Sequence, residues 1–136
     1  MSNSELKPAH VFEQFAEINK IPRPSKHEDM MIEYLKKFGK DHNLETKVDE
    51  TGNVLIHKPA TKGFENRATT ILQSHMDMVC EKTPDCDKNM DEEGLDLEVN
   101  GDFVSAKGTT LGGDDGIAVA YALAILDDDS IAHPRL

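Results

Sequence analysis

Residues 116–126 read GIAVAYALAIL, a run with no charge and almost no polar side. At helical spacing such a run leaves no face for water, so the helix it predicts belongs inside a layered domain. The rest of the chain must supply the layers that cover it. At 136 residues it is one domain's worth, and its hydrophobic content, 38%, leaves little to spare.

Those layers are legible in part. Residues 8–20 predict an amphipathic helix with Val11, Phe12, Phe15 and Ile18 on one face, ended by Pro22 and Pro24. A second helix follows Ser25. Ser25 and Glu28 have capping-box spacing, Met30, Met31, Tyr34, Leu35 and Phe38 form the apolar stripe, and Gly39 or Asn43 marks the end. Residues 44–50 and 54–58 predict two strands around Thr51-Gly52-Asn53, and residues 95–99 and 103–106 a second pair around Asn100-Gly101-Asp102. Residues 69–74, TTILQS, are short, uncharged and β-rich, as a buried central strand should be. Helices first, strands interleaved and a buried helix late give an α/β class, a layered domain with a mixed sheet flanked by helices and no internal boundary.

Charge is unevenly distributed. The formal net charge is −11. Residues 1–76 carry eleven acids and eleven bases, whereas residues 77–129 carry fifteen acids and three bases. Such acidity argues against a nucleic-acid partner. No run is long and apolar enough to span a membrane, and the start lacks the pattern of a secretory signal. Two cysteines, Cys80 and Cys86, without an export signal fit free thiols in a reducing cytoplasm.

Three segments could carry chemistry. Ser74-His75-Met76-Asp77-Met78 follows the expected central strand. Residues i and i+2 of an extended segment share a side, so His75 and Asp77 should emerge together at a strand end, where α/β sheets place their sites. Imidazole is a common zinc ligand and a neighbouring carboxylate fixes its tautomer, although a His-x-Asp pair equally suits a hydrogen bond at a strand end. Asp114 and Asp115 sit between glycines at the start of the apolar helix. They can be simple caps, but a carboxylate at the edge of a core, where Asp114 is expected, needs a cation or several donors. A divalent metal shared with His75 would meet that need. The acidic run 85–96 fails as a calcium loop, with Met90 where Gly and Asp96 where Glu is required, and reads as a solvated insertion. The spacing of Cys80 and Cys86 is not that of a zinc knuckle. His10, His27, His42, His57 and His133 lack a partner pattern and read as surface or capping residues.

The segments Ser74-His75-Met76-Asp77-Met78-Val79 and Gly108-Thr109-Thr110-Leu111-Gly112-Gly113-Asp114-Asp115-Gly116 resemble the aminoacyl-histidine dipeptidases, a family of dinuclear zinc exopeptidases. Ile21-Pro22-Arg23-Pro24-Ser25-Lys26-His27-Glu28 and Asp49-Glu50-Thr51-Gly52-Asn53-Val54 extend the resemblance over nearly the whole chain. It implies that His75 ligates one zinc, that Asp77 orients that histidine, and that Asp114 bridges two metals ahead of a cis Asp114–Asp115 peptide. Zinc is the implied metal, with cobalt or manganese as substitutes. The implied substrate is a dipeptide such as Xaa-His, cleaved by metal-activated water with a glutamate as general base. A cytoplasmic homodimer without nucleic-acid or membrane partners is implied as well.

One departure stands out. In the family a Glu-Glu pair, supplying the base and a zinc ligand, comes soon after His-Pro-x-Leu, and this chain stops at Leu136. Residues 1–136 are therefore expected to be the N-terminal part of the catalytic metallopeptidase domain, incomplete, with the rest of that domain and the lid or dimerisation domain absent. Alone, the chain should be inactive and need not hold metal. The alternatives are a tripeptidase or deacylase of the same superfamily, or a non-catalytic acidic binding module.

Overall fold

The computed structural model describes residues 6–136. Three helices and two hairpins follow one another: α1 (Ala9–Ile18), α2 (Asp29–Asp41), β1 (Glu45–Val48), β2 (Val54–His57), β3 (Leu97–Asn100), β4 (Phe103–Ala106) and α3 (Gly113–Asp127). The α/β class is as expected, with small sheets: β1 pairs antiparallel with β2, and β3 with β4. Gly101, at φ +62°, takes the left-handed position in the second turn. In the first turn Asp49 accepts hydrogen bonds from the backbone and side chains of both Thr51 and Asn53. These donors, the Asn53 amide foremost, hold the Asp49 carboxyl down at about 2.

The core forms where α1 crosses α3. Val11, Phe15 and Ile18 recur at helical spacing and are buried against Val119, Ala120 and Leu123. Each large side chain so buried contributes about 1.5–3 kcal/mol. From α2 come Met31, Leu35 and Phe38, whereas Met30 is exposed. Gly39 allows α2 to approach β1 closely, since a Cβ there would lie 1.8 Å from Thr46 Oγ1. Asn43, at φ +54°, ends the helix as a left-handed residue can.

The C-terminus of α3 is held from two sides. The buried Lys58 ammonium donates to the carbonyls of Leu126 (2.8 Å), Asp128 (3.1 Å) and Ile125 (3.4 Å), satisfying groups that have no partner within the helix. On the other side the Asp127 carboxylate receives His42 Nε2 from the end of α2 (2.5 Å) and lies 2.9 Å from His10 Nε2 of α1. His42 also stacks on Phe38 at 4.0 Å. Burial disfavours the charged His42 ring, but the Phe38 carbonyl and Asp127 outweigh it and leave its pKa raised.

Three expectations fail. His133, read as a surface or capping residue, is buried. Residues 69–74 are exposed, not a buried strand: Ile71 is 81% accessible. Among the described residues the backbone there makes one hydrogen bond, Thr70 N to Arg135 O (2.9 Å), and a β-rich run with no flanking strand cannot form a ladder. The capping box does not form either. Ser25 Oγ donates to Asp77 instead, while Glu28 accepts from the Lys26 amide (2.7 Å).

Lys58→Met should leave three helix-end carbonyls unpaired and lower stability by about 1–3 kcal/mol, read from urea unfolding. His42, with its folded pKa raised, stabilises fully below its unfolded value near pH 6.5, and that contribution is lost as pH rises through the folded value. The urea midpoint should therefore fall further between pH 6 and pH 8 in the wild-type chain than in Asp127→Asn.

Candidate metal centre

The site begins with a short main-chain bridge between distant segments. Met78 N donates to Arg23 O (3.0 Å) and Ser25 N to Met78 O (3.3 Å), a parallel pairing of Pro24 with Met78. Prolines at 22 and 24 keep the first segment out of helix, and Met78 is buried. The bridge sets Ser25 beside Asp77, whose Oδ2 accepts the Ser25 hydroxyl at 2.5 Å. That hydroxyl is the main reason the Asp77 carboxyl lies below its ordinary value; burial opposes it and His75 adds to it.

Asp77 in turn orients His75. Nδ1 lies 3.1 Å from Asp77 Oδ1 and 3.2 Å from Asp77 O, both acceptors, so Nδ1 carries the proton. On the far side of the ring, Nε2 lies 3.1 Å from Asp114 Oδ1. With acceptors on both nitrogens the ring favours its doubly protonated form. Its slight burial works against the charge, but Asp114 and Asp77 prevail and the His75 pKa is raised.

Asp114 reaches this position from the opposite end of the chain. Its φ and ψ, −91° and 107°, are extended, and those of Asp115, −114° and 26°, also fall outside the helix. The regular part of α3 therefore begins at Gly116, and the Asp114–Asp115 peptide is cis. The Asp114 side chain is 96% exposed, which corrects the expectation that it sits at the edge of the core. The apolar helix behind it is covered, but the extended backbone at Asp114 turns its carboxylate outward.

His75, Asp77 and Asp114 are thus brought together; Asp115, the acidic run 85–96 and the two cysteines take no part in these contacts. His75, Asp77 and Asp115 line one end of a cleft of about 1080 Å³ between β2 and residues 69–77, floored by Leu123 and Leu126 of α3. The donor set suits a cation. Two ligands about 2.0–2.1 Å from one tetrahedral zinc stand about 3.3 Å apart, close to the separation of His75 Nε2 and Asp114 Oδ1. A metal held by both would lie between these two atoms. Among the described residues no group of three or more histidine, cysteine, aspartate or glutamate side chains is arranged to hold a metal by itself.

Sequence reasoning passed over Ser25 and Arg23, which shape the site from behind. The Pro-flanked segment that contains them contributed to the resemblance, but no spacing rule links it to Asp77 across fifty residues.

Comparison with known proteins bears on this arrangement. No family model matches the chain. The cytosol non-specific dipeptidase of Escherichia coli is 42% identical over 133 residues, covering 98% of this chain and 27% of that protein. The crystal structure of an aminoacylhistidine dipeptidase from Vibrio alginolyticus superimposes with a TM-score of 0.95 at 40% identity, over 99% of this chain and 28% of that one. Over nearly its whole length the chain is similar to these two dipeptidases. A tripeptidase structure from Staphylococcus aureus shares the fold, with a TM-score of 0.72 at 23% identity over 93% of this chain. The chain spans about a quarter to a third of the length of these proteins.

In metal-free buffer, the His75 ring followed by NMR should titrate above 6.5, and Asp114→Asn should bring that value down. Because a protonated ring cannot ligate, zinc affinity should weaken as pH falls through the raised value.

Proposed function

We propose that the chain forms part of the catalytic domain of a metal-dependent dipeptidase acting on dipeptides such as Xaa-His. The observation that carries this reading is the His75–Asp114 pair, with the outer nitrogen of His75 fixed by Asp77. It stands in a chain 40% or more identical to two dipeptidases. The preference for a dipeptide follows these two relatives, and the tripeptidase supports the fold alone.

In this reading Nε2 of His75 and the Asp114 carboxylate would hold the metal, with zinc the first candidate. Bound there, the metals would supply Lewis acidity toward the scissile carbonyl and acidify water. The chain's own residues do the rest of what can be assigned to them. Asp77 holds the Nδ1 proton of His75, which fixes the tautomer and makes Nε2 the stronger donor. Ser25 keeps Asp77 ionised and aimed. The cleft beside His75 and Asp77 gives a substrate an apolar floor beside the reacting atoms.

A zinc site takes three or four protein ligands, and the described residues bring two together. In this reading the remaining ligands and the general base would be supplied by other residues. No helix of the described residues is long and apolar enough to cross a membrane. A cytoplasmic location is proposed from the cytosol relative, and a homodimer from the resemblance alone.

In the polypeptide that carries this chain, His75→Ala should reduce bound zinc, measured by metal analysis, and abolish chelator-sensitive hydrolysis of a Xaa-His dipeptide. Full metal occupancy in that variant would refute the ligand role. Asp77→Asn should lower kcat by about 10- to 100-fold while most of the metal stays bound. The 136 residues alone should show no enzyme-like turnover with zinc supplied.

A further inference from the structure

Asp114 reaches His75 from a segment that must stand free of α3, and the structure shows what lies beneath that segment. Arg23 is 1% exposed, among the most buried large side chains in the chain. Its Nη2 donates to Asn19 Oδ1 (2.7 Å) and to Gly112 O (3.3 Å). A Cβ at Gly112 would lie 2.7 Å from Nη2 and 3.0 Å from Nη1, and one at Gly116 would lie 2.8 Å from Nη2. One guanidinium thus fills the space under both ends of residues 112–116, the stretch that presents Asp114. The carbonyl of the same residue receives Met78 N, next to Asp77. Main chain and side chain of Arg23 touch the two halves of the site separately.

We infer that Arg23 is a positioning residue for the metal ligands: it sets the distance between Asp114 and the His75–Asp77 pair. The inference rests on the metal-centre reading above.

Stability does not explain this side chain. Among the described residues its Nε and Nη1 are buried without a partner, as is Nδ2 of Asn19. A buried cation with unpaired donors is a poor way to fill a core, and an apolar side chain of similar volume is often neutral or better there. Burial lowers the Arg23 pKa, with Cys80 and Asp77 acting in the opposite sense. The feature an apolar replacement cannot reproduce is the planar fork reaching from Asn19 to the Gly112 carbonyl.

The test uses the polypeptide that carries this chain, with Arg23→Met, Arg23→Lys and His75→Ala. Zinc affinity is measured by competition with a chromogenic chelator, and thermal unfolding by circular dichroism. Arg23→Met should keep or raise the melting temperature and yet weaken zinc binding about tenfold or more, with Arg23→Lys falling between it and wild type. Wild-type zinc affinity in Arg23→Met would overturn the inference. So would a loss of affinity in Arg23→Met that only accompanies unfolding, since that would mark an ordinary structural residue. If His75→Ala bound zinc as well as wild type, the metal-centre reading itself would fall, and the inference with it. Loss of binding in His75→Ala beside unchanged binding in Arg23→Met would overturn the inference alone.

Discussion

Two backbone hydrogen bonds, Met78 N to Arg23 O and Ser25 N to Met78 O, join a proline-stiffened turn near the start of the chain to the segment that carries His75 and Asp77. Most of the site's order can be traced to them. They bring the Ser25 hydroxyl to Asp77, which keeps that carboxylate ionised and turned toward the imidazole. They also anchor Arg23, whose side chain passes under residues 112–116. The stretch from Thr70 to Asp77 makes one backbone hydrogen bond to the rest of the described chain, so the bridge at Met78 is what anchors the backbone beside His75.

The helical core serves the same end from the other side. α3 is apolar enough to be clasped by α1, and its C-terminus is tied down by Lys58 and by the Asp127 link to α1 and α2. A helix fixed at its far end presents a fixed near end. Asp114 sits there, outside the regular helix and in solvent, at a spacing from His75 that suits one shared cation. Rigid elements behind and an exposed pair of ligands in front are what a metal site needs when other ligands arrive from elsewhere.

Much of this was legible in the residues. Hydrophobic spacing located α1, α2 and α3, the Asn100-Gly101 turn located the second hairpin, and i, i+2 geometry paired His75 with Asp77. Where sequence reasoning failed, the cause was long range. Residues 69–74 have the composition of a central strand, but a strand exists only through its neighbours, and here none pairs with it. Ser25 has the spacing of a helix cap, yet a carboxylate fifty-two positions away is the better acceptor. Asp114 was expected at the core's edge because the helix after it is apolar; two non-helical residues turn it outward. No sequence pattern singles out the roles of Lys58 and Arg23, and only the packing shows that one caps a helix and the other lies beneath the site.

The central claim is that His75 and Asp114 share one cation. Crystals of the polypeptide that carries this chain, soaked in zinc and measured at the zinc absorption edge, test it directly. The account predicts an anomalous peak about 2.0–2.1 Å from both His75 Nε2 and an oxygen of Asp114, with Asp77 still bonded to Nδ1. Zinc bound instead at the cysteines or along the acidic run, with the His75–Asp114 contact unchanged, would contradict it.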